Sequence, residues 1–235
     1  MANQLKTFSI LISIAFIVVL SNFSFGQEVK REAPNYRKIR SAIKKENSKL
    51  FYPDLLSRFK KRDTSLTREE YAHLYYGYVF QPEYKAHWSC DLSDSLRKIR
   101  VDEDSSNTTM EKVLAFSWKC LDGYPFDYSS LNYQILALKK LGKEVEAQNT
   151  IRALRRLIGT ILSTGRGMEK EDAMHVISVD HEYMILNAFD FEMERQGLIE
   201  MKYDHLSLKP NEAKVDGLYF NIEKMIEAEM KMFED

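Results

Sequence analysis

From Pro34 to about Thr164 apolar side chains recur three and four positions apart, the period that lines one face of a helix. Tyr36, Ile39 and Ile43 open the pattern, Pro53 interrupts it, and Leu55, Leu56 and Phe59 resume it for a short helix. Thr67-Arg-Glu-Glu70 predicts a capping box, in which the Thr67 hydroxyl accepts a first-turn N–H while Glu70 reaches back to the cap. The helix it opens runs through Tyr71, Leu74, Tyr75 and Tyr78 and ends near Gln81-Pro82, because the residue before a proline is driven out of the helical region. Thr108-Thr-Met-Glu111 predicts a second box ahead of Val113, Leu114, Phe116 and Leu121, with a stop around Gly123-Tyr-Pro125. Leu131, Ile135 and Leu138 form the next stripe, and Gly142 breaks the chain. Val145, Ala147, Ile151, Leu154, Ile158 and Ile161 then form another.

After Ser163-Thr-Gly-Arg-Gly167 the period changes. Met174–Val179 reads as a strand and His181–Phe189 as a helix. Leu206 and Leu208 alternate with His205 and Ser207, and Leu218, Phe220 and Ile222 alternate with Tyr219 and Asn221. These two segments predict an antiparallel hairpin with one buried face. Met225, Ile226, Met230 and Phe233 predict a closing amphipathic helix. The expectation is an α+β fold, mostly α, with a helical part over residues 27–164 and a small sheet-bearing part over 165–235.

The first 26 residues follow a different rule. Met1–Lys6 carries one positive charge, Thr7–Leu20 holds no charged residue, and Ser24 and Gly26 are small residues at −3 and −1 of a cleavage before Gln27. That is the form of a secretory signal peptide, too short in its apolar run for a bilayer span. The expectation is an exported protein, periplasmic or extracellular, with no membrane insertion once the leader is removed. Without Lys6 the remainder has 33 basic against 35 acidic side chains, a charge of −2 that gives no electrostatic reason for a nucleic-acid partner. Cys90 and Cys120 allow one intramolecular disulfide, which an oxidising compartment permits, or two small buried apolar side chains. With no C-x-x-C pair and no histidine at ligand spacing, neither a metal nor another cofactor is expected.

The helices on either side of Gly142 resemble a tetratricopeptide hairpin, with Gly142 at its turn and Ala147 at the close helix approach, although an ordinary αα-hairpin has the same pattern. A wider likeness runs through Leu50-Phe-Tyr-Pro-Asp-Leu-Leu-Ser-Arg-Phe59, then from Asp63 through the tyrosine-rich Glu70-Tyr-Ala-His-Leu-Tyr-Tyr-Gly77 to Gln81. It continues through Gly165-x-Gly167, His175-Val-Ile-Ser-Val179, Glu182-Tyr183, Gln196-Gly-Leu198, Tyr203-Asp204 and Leu218-Tyr-Phe-Asn-Ile222. These segments resemble a secreted family of Gram-negative envelopes catalogued as domain of unknown function 4919. The resemblance implies a helical-repeat-like body with a small sheet and carries no catalytic residues.

No catalytic set is complete. Glu70-x-x-His73 has the spacing of a ferritin-type iron pair, but a di-iron site needs a second pair. His181-Glu182 begins like a zinc-protease helix, yet Ile185 stands where the second histidine belongs. Asp102-Glu-Asp104-Ser-Ser106 lacks a calcium loop's turn glycine, and Val113 occupies its glutamate position. Gly165-Arg-Gly167 precedes an expected strand, so it reads as a turn more than a phosphate cradle. The densest feature is aromatic: Tyr71, Tyr75, Tyr76, Tyr78, Phe80, Tyr84 and Trp88. The first reading is a core helix whose phenols reach structural hydrogen bonds; tyrosines on several helix faces cannot all be buried against one neighbour, so a binding surface at Tyr75, Tyr76 and Tyr84 is the second. The expected function is a non-enzymatic binding module for an envelope protein, peptide or glycan; the alternative is an envelope hydrolase whose dispersed site brings His73 or His87 to carboxylates.

Overall fold

The computed structural model describes residues 31–92, 95–96, 99 and 104–232. The leader, Asp102, Glu103 and Phe233 therefore lie outside the described residues. The chain divides into two compact units, Pro34–Thr160 and a second that holds residues 31–33 and 161–232, and the fold is α+β with mostly helix.

The first unit is all helical. It contains α1 (Tyr36–Ala42), α2 (Tyr52–Lys60), α3 (Arg68–Gly77) with a 3-10 turn at Tyr78–Phe80, α4 (Asn107–Gly123), α5 (Tyr128–Lys140) and α6 (Glu144–Leu162), whose last turn crosses the boundary. The capping box at α3 is present in both directions: Thr67 accepts from the Glu70 N–H, and Glu70 accepts from the Thr67 N–H at 2.7 Å. The box expected at Thr108 is displaced. Ser106 is the cap of α4, its hydroxyl accepts from the Thr109 N–H, and Asp104 holds Ser106 in place through its N–H at 2.9 Å. A serine two positions earlier with a carboxylate behind it captures the helix start before Thr108 can. At Gly142 the backbone is left-handed (φ +71°), and Lys143 N–H reaches Leu138 O at 2.9 Å, which closes α5 and turns the chain into α6. Ala147 and the apolar stripe from Ile151 to Ile161 are buried.

Cys90 and Cys120 form a disulfide with Cα atoms 5.4 Å apart. Cys120 also packs among Leu96, Met110, Val113 and Ala137, so it is an apolar core residue and a cross-link at once.

The second unit carries a four-stranded mixed sheet in the order β1-β4-β3-β2. The strands are β1 (Met174–His175), β2 (Met193–Ile199), β3 (Tyr203–Leu208) and β4 (Gly217–Asn221), with α7 (Val179–Ala188) and α8 (Glu223–Met232). The predicted hairpin is β3–β4, paired antiparallel with Leu206 opposite Leu218 and Asp204 opposite Phe220. The strand expected over Met174–Val179 is only two residues long and pairs parallel to β4; the chain leaves the strand after His175, and Val179 already opens α7 behind its cap Ser178. β2 was not expected from periodicity. It is an edge strand exposed along most of its length, so its sequence shows no alternation.

Candidate functional site

The tyrosines lie inside the helical unit rather than on it. Tyr75 is 0% and Tyr76 1% exposed, Tyr71 and Tyr78 are buried, and Tyr84 is half-buried with its ring edge-on to Tyr78 at 5.8 Å. The expectation of a surface at Tyr75 and Tyr76 fails for a geometric reason. α3 has more than one neighbour: α1 brings Tyr36 against Tyr76 at 5.9 Å, and α2 brings Phe59 against Tyr71 at 6.1 Å. The turn after α4 inserts Phe126 between Tyr75 (5.6 Å), Tyr78 (5.4 Å) and Phe59 (5.3 Å). The Tyr76 hydroxyl donates to the Thr160 carbonyl at 3.5 Å. Edge-to-face pairs of this kind add to area burial, and the cluster forms the core of the unit.

The residues quoted for metal or phosphate chemistry have other occupations. Glu70 receives the Thr67 N–H and an Arg58 guanidinium, while His73 Nδ1 lies 2.9 Å from the Glu69 carbonyl of its own helix. Asp104 accepts from Ser106 and Thr109. Gly167 N–H donates to Asp172 O at 2.7 Å and Gly167 O accepts from Tyr219 N–H, so this glycine pair is a turn stitched to β4. Among the described residues no group of three His, Cys, Asp or Glu side chains could hold a metal ion, and no helix is long and apolar enough to cross a membrane.

What the helical unit does present is a shallow notch of about 30 Å³ bounded by Lys60, Arg62, Trp118, Leu121, Asp122 and Pro125. Arg62 sits just past α2 in a left-handed conformation (φ +57°), which turns its side chain back over the helix end. There its guanidinium lies 5.3 Å from the ring centres of both Phe59 and Trp118. Nη1 donates to Phe59 O at 3.2 Å and Nη2 to Gln134 Oε1 at 2.7 Å, while Nε is buried with no acceptor. Burial lowers the Arg62 pKa to about 10, which leaves it cationic at neutral pH. Among the described residues no carboxylate lies within 4 Å of it: Asp63 is taken by Arg58, and Asp122 by Lys60 at 3.2 Å. Beside this uncompensated cation Trp118 is 40% exposed, a large indole surface that its own fold does not cover. The Arg62–Trp118 stack joins residues 56 positions apart, and no local spacing announces it.

The second unit holds a different anomaly. Glu182 on α7 is 0% exposed, and both of its carboxyl oxygens are buried without an N–H or O–H directed at them. Its neighbour is Asp204 on β3, itself 6% exposed. Burial first, and then the charge on Asp204, raise the Glu182 pKa to about 9. Nearby, burial first, then the charges of Glu182, Asp204 and Asp180, raise the Tyr183 phenol.

No curated protein and no solved structure matches the chain. A family model does, over residues 37–231, which spans both units and takes in the aromatic core, the Arg62–Trp118 notch and the Glu182–Asp204 pair. The chain therefore belongs to the family described as domain of unknown function DUF4919.

Proposed function

We propose that the protein is an exported, non-enzymatic binding module of the cell envelope, working in the periplasm or outside the cell, and that its helical unit binds through the Arg62–Trp118 notch. The observation that carries the binding reading is the exposed Trp118 face beside a cation with no carboxylate partner among the described residues. Arginine and tryptophan are the side chains that concentrate binding energy at recognition sites. The notch has room for about two water-sized atoms, so a ligand inserts the two oxygens of one carboxylate and lays the remainder over the indole. A peptide or glycan bearing a carboxylate next to an apolar or ring surface fits that description. Export is supported by the leader pattern over residues 1–26 and by the Cys90–Cys120 disulfide, since oxidising compartments are where such bonds persist.

Benzoate is the simplest probe with both features, a carboxylate and a flat ring. In a ¹⁵N-edited titration it is expected to shift the Trp118 indole N–H saturably, with glucose as the neutral control. Arg62→Met is expected to weaken the response at least tenfold, the scale of one charge-assisted hydrogen bond. Trp118→Ala serves the same purpose where loss of the Arg62–Gln134 bond disturbs the fold. A response equal for glucose and benzoate, or one that survives both substitutions, removes the notch as the site.

A further inference from the structure

We propose that Glu182 and Asp204 form a proton-binding site that latches α7 onto the sheet: one proton held between the two carboxyl groups joins helix to strand, and its release loosens α7 from β3.

The argument starts from what each oxygen can do. A carboxylate accepts hydrogen bonds and donates none, so two ionised carboxylates in contact repel each other, and in a buried site neither is relieved by water. Glu182 has no donor directed at either oxygen and no exposure. A proton on Glu182 turns it into a donor, and Asp204 is the acceptor within hydrogen-bonding reach. The other side of Asp204 is already arranged: Gln196 Nε2 on β2 donates to Asp204 Oδ2 at 2.6 Å, and the Tyr183 hydroxyl on α7 donates to Gln196 Oε1 at 3.1 Å. The amide of Gln196 is thereby fixed with its nitrogen toward Asp204. The result is one chain, Tyr183 to Gln196 to Asp204, closed at its inner end by Glu182. It crosses α7, β2 and β3, and its inner link, from Glu182 to Asp204, exists only if Glu182 carries a proton.

The groups facing this chain are the neutral Gln196 from β2, Asp204 from β3, and Asp180 and Tyr183 on α7 itself. Asp204 is the charge that acts on Glu182. The nearby charges are therefore negative, which favours keeping the proton.

The test is a carboxyl-carbon NMR titration of the full protein carrying ¹³C-labelled glutamate. One glutamate resonance is expected to keep the chemical shift of a protonated acid through pH 7 and to titrate near pH 9, and Glu182→Gln is expected to delete it. Glutamine supplies the missing donor, so over pH 6.5–9 that variant's folding equilibrium constant is expected to lose the tenfold fall per pH unit of the parent. Asp204→Asn removes the charge and offers Glu182 a donor, so it is expected to move the same resonance down toward ordinary glutamate values. Protection of α7 amides, corrected for intrinsic exchange, is expected to fall together with deprotonation. The proposal is overturned if every glutamate is ionised at pH 6, which the parent protein alone decides, or if Asp204→Asn leaves the titration where it was. It is also overturned if α7 protection does not follow the proton.

Discussion

Glu182 and His175 titrate in opposite senses, and between about pH 4 and 9 they pull the stability of the second unit in opposite directions. Glu182 has a raised pKa in the fold, from 4.5 to about 9, so its contribution is complete below pH 4.5 and is lost as pH rises toward 9. His175 is lowered from 6.5 to about 4, by burial first and then by Lys202, so its contribution is present above pH 6.5 and is lost as pH falls toward 4. Each proton corresponds to about 1.4 kcal/mol per pH unit. Between pH 9 and 6.5 only Glu182 acts, and stability of this unit is expected to climb as pH falls. Below about pH 6.5 protonation of His175 offsets it and the curve flattens. Urea midpoints of the sheet-bearing unit at half-unit pH steps check this; a midpoint independent of pH from 6.5 to 9 contradicts it. These two groups were legible in sequence only as fragments. His181-Glu182 read as a failed zinc motif, and nothing local connects Glu182 to Asp204, 22 positions on.

Elements whose causes are local were largely readable in advance, the cap of α4 at Ser106 excepted, and those whose causes are distant were not. The capping box of α3 lies within four residues, Thr67 to Glu70, and formed as its sequence dictates. The β3–β4 hairpin shows in alternation because one face of each strand is buried. β2 escaped because an edge strand with solvent on both sides places no demand on its residue types; its register is set by β3 across the ladder. The tyrosines of α3 stand between: their density was visible and a core role was the first reading, but the number of neighbours burying Tyr75 and Tyr76 was not. The Gly165-x-Gly167 turn makes a sharp element-scale prediction. A Cβ at residue 165 would stand 2.3 Å from the Asp172 carbonyl oxygen and 2.6 Å from that of Ala173, both backbone atoms that cannot swing aside. Gly165→Ala is expected to destabilise the second unit by about 3 kcal/mol, at the upper end of ordinary overpacking. Gly159→Ala, with open space at its Cβ, is the control and is expected to be neutral or slightly stabilising. Equal thermal midpoints for the two variants would remove the packing argument.

At the scale of the whole molecule, two compact units share one chain, and the disulfide belongs to the first of them. A cross-link between residues 30 positions apart restricts the unfolded chain by roughly 3–4 kcal/mol. Reduction is therefore expected to lower the calorimetric transition of the helical unit and to leave that of the sheet-bearing unit in place. A single transition that moves as one under reductant would mean that the units do not melt independently. The aromatic core of the helical unit has a further consequence, in the way the protein meets light. Tyr71 and Tyr78 have pKa values raised to about 12, and Tyr52 is raised well above the ordinary phenol value, in each case chiefly by burial. Buried phenols of this kind stay un-ionised in alkali for as long as the core holds, and become phenolates together when it opens. Absorbance near 295 nm thus turns this cluster into an intrinsic optical gauge of its own unit, silent while the rings remain interleaved and lit when they separate.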